Sequence, residues 1–174
     1  AMTAAVAYGV MNLLMTSTPL EMMLCGFGVS ASATVIQAHA VSMFAPGFVT
    51  GRLIGRFGAR PIIIAGVMLN AACVGLALMG KEFLDFTLAL MALGVGWNFM
   101  FTGATTLLAE AHSPAERVRA QTANDFIVFG TVACTAFGSG LLHAMSGWYV
   151  LNLLVLPALA FALWRVTRRP LRFA

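Results

Sequence analysis

Thr50-Gly51-Arg52-Leu53-Ile54-Gly55-Arg56-Phe57-Gly58-Ala59-Arg60-Pro61 is a short, glycine-rich stretch with three arginines, set between two long apolar runs. A charge buried at the centre of a bilayer costs at least ~2.5–3.5 kcal/mol, so cations this close together do not lie in hydrocarbon. The stretch predicts a tight turn at a membrane surface. Gly58 suits the left-handed conformation that ends a helix, and Pro61 suits the first turn of the next.

Composition agrees with a membrane setting. Hydrophobic residues make up 60% of the 174 and charged residues 9%, with a mean hydropathy of +0.91. Soluble domains carry about 25% charged residues, so this chain cannot make a wettable surface and reads as an integral membrane protein. No signal peptide with a small-residue cleavage site is evident. Cys25, Cys73 and Cys134 fall in or beside apolar runs without metal-ligand spacing. They read as small hydrophobes, with no disulfide framework and no metal site.

A spanning helix needs about 20 mostly apolar residues. Six segments fit, at about 3–25, 33–52, 61–80, 84–109, 121–144 and 148–166, giving an all-α integral membrane bundle over residues 1–174. The breaks between them are short: 26–32, Gly80-Lys81-Glu82, 110–120 and Ser146-Gly147. Ser113-Pro114-Ala115-Glu116 reads as a helix start, with Ser113 as N-cap and Glu116 at the third position. Pro19, Pro46 and Pro157 should kink or break their helices.

The net charge of +4 is an orientation signal, and nucleic acid is not an expected partner. Arg52, Arg56 and Arg60 lie in one turn, Arg117 and Arg119 in a second, and Arg165, Arg168, Arg169 and Arg172 close the chain. With six spans all nine arginines share a side with both termini, which the positive-inside rule makes cytoplasmic. Lys81 alone lies on the other side. Nine arginines against one lysine, with abundant Ala and Gly, point to a bacterial cytoplasmic membrane.

Polar residues inside spans mark helices that face something other than lipid. They concentrate in the first span (Asn12, Thr16, Ser17, Thr18), the second (Gln37, His39), the fourth (Asn98, Thr102, Thr105, Thr106) and the fifth (Gln121, Asn124, Asp125). These four should surround a polar surface, with the third and sixth bracing from outside. Asn12 and Asn98 read equally as interhelical ties or as cavity lining. Trp97, beside Asn98, reads as packing or as a substrate wall. Threonines 105 and 106 are expected to bond back to their own helix. His39 is either a satisfied structural histidine or a proton carrier. Asp125 either caps the surface or forms a gate contact with an arginine of the 50–61 turn. Glu110, Glu116, Arg117 and Arg119 crowd the same side and suggest a charge network.

A faint echo links Gly9-Val10-Met11-Asn12 with Gly94-Val95-Gly96-Trp97-Asn98. In each, a threonine follows the asparagine by four residues, as Thr16 and Thr102. A three-plus-three inverted repeat makes the first and fourth spans equivalent. Nothing supports an enzyme: there is no metal-ligand cluster, nucleophile elbow or phosphate-cradling loop followed by lysine, and no cofactor is implied.

The arginine-bearing turn resembles the loop signature G-x-L-x-D-R-x-G-R-R of the major facilitator superfamily. With six spans and the basic segment Pro114-Ala115-Glu116-Arg117-Val118-Arg119-Ala120-Gln121, the whole chain looks like one half of such a transporter. The segment from Trp97-Asn98 to Asn124-Asp125-Phe126 looks most like the C-terminal half of bacterial members. The resemblance assigns Gly51, Gly55 and Gly58 to the motif's small positions and Arg52, Arg56 and Arg60 to its basic ones. Gly55 stands where the motif usually has aspartate, which puts a full-strength cytoplasmic latch in doubt. The resemblance also implies that spans one and four line a central cavity, so Asn12, Thr16, Trp97, Asn98 and Thr102 are the candidate lining for a small-molecule substrate. The partner is then a second six-helix half, either a missing N-terminal half or a second copy. The competing expectation is a non-transporting accessory or assembly subunit packed against a larger membrane complex.

Overall fold

The computed structural model describes residues 1–168; Arg169 and Arg172 of the expected basic tail lie outside the described residues. Within them the chain forms α1 (Met2–Leu24), α2 (Val29–Phe44), α3 (Gly47–Phe57), α4 (Ala59–Met79), α5 (Phe83–Glu110) and α6 (Pro114–Arg168). The fold is all-helical. Helices α4, α5 and α6 are each long and apolar enough to cross a membrane.

The helix boundaries follow local chemistry. Pro46 separates α2 from α3, because proline lacks the N–H that would continue the ladder. Helix α1 runs on through Pro19, and α6 through Pro157. Gly58 ends α3 at φ 85°, in the left-handed region closed to most side chains. Gly147 sits at φ 73° inside α6 and divides it into arms of residues 114–146 and 148–168.

The arginine stretch differs from the tight turn its composition suggests. Residues 47–57 are helical, with backbone bonds from Thr50 N to Pro46 O at 2.8 Å and from Gly58 N to Ile54 O at 2.8 Å. Gly51 and Gly55 are exposed, and a single glycine costs a helix only about 1 kcal/mol, too little to break it. Arg52 and Arg56 therefore stand one turn apart on α3, while Arg60 lies in the first turn of α4. The segment 110–120 behaves alike: α5 runs to Glu110 and α6 begins at Pro114, so Arg117 and Arg119 are helical rather than in a loop.

Helix α5 is the centre of the molecule and touches every other helix. Two close approaches set its neighbours. A Cβ added at Gly94 would lie 2.8 Å from the His39 carbonyl of α2, and one at Gly66 of α4 would lie 2.7 Å from the Gly96 carbonyl of α5. Small residues at such crossings let backbones approach where lipid supplies no hydrophobic drive. Leu14, Ile63, Phe86, Leu90, Leu93, Met100 and Leu151 fill the space between.

Candidate functional site

Near the middle of α1 and α5 the polar groups of the expected lining residues are mostly engaged, and the two asparagines tie to different helices. Asn12 donates Nδ2–H to the Val132 carbonyl at 3.2 Å and to the Thr135 hydroxyl at 2.9 Å, both on α6. Asn98 donates to the Met43 carbonyl of α2 at 2.8 Å and accepts from the Thr50 hydroxyl of α3 at 2.7 Å. Thr16 returns its hydroxyl to the Asn12 carbonyl at 2.6 Å. Thr105 and Thr106 bond back to the Phe101 and Thr102 carbonyls, the self-bonding that threonine adopts in helices. Thr102 is half-buried beside them.

An aromatic cluster occupies the same level. Trp97 and Phe101, one turn apart on α5, stack with centroids 5.4 Å apart and planes 6° from parallel. Tyr8 of α1 stands edge-on to both, at 5.0 and 4.9 Å, the geometry that ring quadrupoles favour. Trp97 is 5% exposed, and its indole N–H has no partner among the described residues. Sequence reasoning singled out Trp97 but passed over Tyr8, whose only signal was an aromatic one turn before Asn12.

His39 is buried, and its Nδ1 lies 2.7 Å from the Leu90 carbonyl. A carbonyl only accepts, so Nδ1 carries the proton; Nε2 is buried without a partner. Gln37, two residues earlier, is exposed.

The arginine-bearing end gathers Arg60, His112 and Arg165 with the chain start around a cavity of about 160 Å³. Glu116 accepts from the Ser113 backbone N–H at 3.2 Å and from its hydroxyl at 2.7 Å. Those two bonds hold its carboxyl below the usual range. Arg117 donates to the Ala109 and His112 carbonyls at the end of α5 rather than to a carboxylate. Asp125 accepts from Gln121 at 2.7 Å and Asn124 at 3.2 Å. Glu110 and Arg119 are exposed.

The opposite end holds a cluster the sequence did not reveal. Glu21, 3% exposed in the last turns of α1, meets Lys81 through Oε1 at 2.5 Å and His143 through Oε2 at 2.8 Å. Lys81 belongs to the α4–α5 turn and His143 to the first arm of α6. The hydrogen bond to Glu21 holds the Lys81 ammonium above its ordinary range. Lys81 and His143 are 60 and 122 positions from Glu21 in the chain, so no local pattern links the three. The available signal was the one lysine on the arginine-free side.

The chain matches no family model. It is 47% identical over 157 residues to the riboflavin transporter of Brucella anthropi, covering 90% of this chain and 39% of that protein. Two uncharacterised MFS-type transporters of Bacillus subtilis are 34% and 31% identical over 146 and 147 residues, 83% of this chain and 34% of each of theirs. The chain thus spans well under half the length of these relatives. With its apolar helices, the chain is similar over most of its own length to part of these transporters of the major facilitator superfamily.

Proposed function

We propose that the chain is one six-span unit of a secondary transporter that carries a planar heteroaromatic solute across a bacterial cytoplasmic membrane. The spans are α1, α2 with α3, α4, α5 and the two arms of α6, related as a three-plus-three inverted repeat. Both termini and the arginines then face the cytoplasm. The repeat is supported by its contacts. Helix α1 ties to the first arm of α6 through Asn12, and α5 ties to α2 and α3 through Asn98, the pairing expected if spans one and four are equivalent.

The aromatic cluster carries the substrate reading. Tyr8 is half-buried and edge-on to a stacked Trp97–Phe101 pair, and the indole N–H is unpartnered. Such a wall suits a flat ring system with hydrogen-bond acceptors at its edge. The relative named for riboflavin transport supports this class, since the flavin ring is flat, fused and rich in carbonyl and imine acceptors. Half-buried Thr16 and Thr102 supply the polar rim, with Asn12 and Asn98 behind them holding the neighbouring helices.

A second six-span unit completes the cavity, and rocking of the two units gives alternating access. Exposed Phe48, Phe126 and Phe137 fit lipid tails and that partner. Riboflavin emission gives the test, because stacking on tryptophan quenches it. The purified chain in lipid discs should quench riboflavin saturably. Tyr8→Leu should weaken binding about threefold to tenfold, the worth of one aromatic contact. Non-saturable quenching, equal in both proteins, would contradict the assignment.

A further inference from the structure

The cluster at the arginine-free end has a feature that packing does not require: one buried carboxylate with two different basic partners, one on each oxygen. Lys81 reaches Oε1 and His143 reaches Oε2. With His143 neutral the cluster is charge-balanced, Glu21 against Lys81. A neutral His143 bonded to a carboxylate through Nε2 carries its hydrogen there, which leaves the Nδ1 lone pair as the atom that takes a proton. Proton uptake forms one N–H bond, breaks none in the protein and makes the cluster net positive.

We propose that Glu21, His143 and Lys81 form a proton-binding site in which an imidazolium at His143 replaces Lys81 as the counter-ion of Glu21, releasing the Gly80–Glu82 turn from α1. Removing one partner of a buried ion pair ordinarily strands a charge, which is costly. Once His143 is charged, Lys81 leaves without stranding Glu21. The two cations differ in the way this exchange needs. The His143 side chain is 7% exposed and confined, while the Lys81 side chain is 37% exposed and hangs from a three-residue turn. A histidine exchanges its proton in the range pH 5–8, and a lysine does not.

The surroundings confine the response to these elements. Beside the cluster lie Cys25 at the end of α1 and Tyr149 on the second arm of α6; Lys81 Nζ sits 5.1 Å above the Tyr149 ring. Glu82 and Asp85 open α5 next to Lys81. Trp148 packs edge-on to His143 with centroids 6.4 Å apart and donates its indole N–H to the Ala77 carbonyl of α4 at 2.9 Å. The break at Gly147 thus lies between the proton acceptor and a direct bond to the helix that ends in the released turn.

The chain has one lysine and three histidines, so a lysine side-chain label reports Lys81 alone. Protein labelled with 15N at lysine Nζ, in lipid discs, is followed from pH 8 to pH 5. The expected result is a slowly exchanging, ion-paired Nζ signal at pH 8 that is lost by pH 5. In His143→Gln the paired signal persists at pH 5, and in Glu21→Gln it is absent throughout. His112→Gln, at the far end of the molecule, behaves as the parent does and controls for general acid effects. A paired signal that persists at pH 5 in the parent, or is lost equally in His143→Gln, would overturn the proposal. So would a paired signal that survives Glu21→Gln.

Discussion

Asn12 and Asn98 hold matching posts: each gives its side-chain N–H to a backbone carbonyl of another helix and joins a threonine hydroxyl there. For Asn12 the partners are Val132 and Thr135, and for Asn98 they are Met43 and Thr50. A carboxamide suits this post because it offers donors and an acceptor without charge. It satisfies a carbonyl beside the Pro46 break of α2 and adds a bond to a carbonyl of α6.

Replacing either asparagine with leucine should lower stability by about 1 kcal/mol, the scale of interhelical hydrogen bonds in membranes. Each change also takes a partner from a threonine hydroxyl, Thr135 or Thr50, but both hydroxyls keep a bond to a carbonyl one turn back, so the two costs should be alike. Unfolding of the purified chain in mixed detergent micelles measures both. Equal stability of Asn98→Leu and the parent would contradict the role.

Glycines separate into two kinds that one experiment distinguishes. Gly66→Ala forces a methyl group within 2.7 Å of the Gly96 carbonyl, whereas Gly55 has open space around it. Overpacking costs about 1–3 kcal/mol, and Gly66→Ala should lower the unfolding midpoint accordingly. Gly55→Ala should raise helix stability by roughly 0.5–1 kcal/mol through backbone entropy. The same thermal melt reads both signs.

Several breaks were legible because single residues decide them: Gly58, Gly80, the Ser113-Pro114 start and Gly147 all lie where sequence put them. The length of α3 was not. Arginines and glycines marked a polar surface, but polarity does not tell a helix from a turn. Asn12 and Asn98 were legible as polar spots, not as donors to particular carbonyls, because those carbonyls have no sequence signature. The Glu21 cluster escaped for a related reason. Its members are far apart in the chain and meet only once α1, the α4–α5 turn and α6 converge at one end.

Bonds from Ser113 hold the Glu116 carboxyl below its usual value. A depressed carboxylate contributes above its unfolded value, near 4.3, and loses the contribution as pH falls through the folded one. The start of α6 should therefore loosen only in acid below about pH 4. Ser113→Ala should return the Glu116 titration, followed by 13C carboxyl shifts, toward the ordinary range.

Lys81 carries the reverse sign. Its bond to Glu21 raises its proton affinity, so on the alkaline side its contribution is present at pH 8, below the unfolded value near 10.4, and fades as pH rises through the folded value. The parent should lose thermal stability above about pH 10. In Lys81→Met that alkaline loss should shrink, from a lower starting stability because Glu21 stays buried without its ammonium. An unchanged alkaline profile in Lys81→Met would contradict the pairing.

Sidedness tests the whole account most directly. With Cys25, Cys73 and Cys134 replaced by serine or alanine, single cysteines at Arg56, Arg119, Glu82 and Ser146 are exposed to a membrane-impermeant maleimide in intact cells and in inverted vesicles. Six spans with cytoplasmic arginines predict labelling at positions 82 and 146 from outside the cell, and at 56 and 119 only from the cytoplasmic face. Labelling of all four from one side, or of position 56 in intact cells, would contradict it.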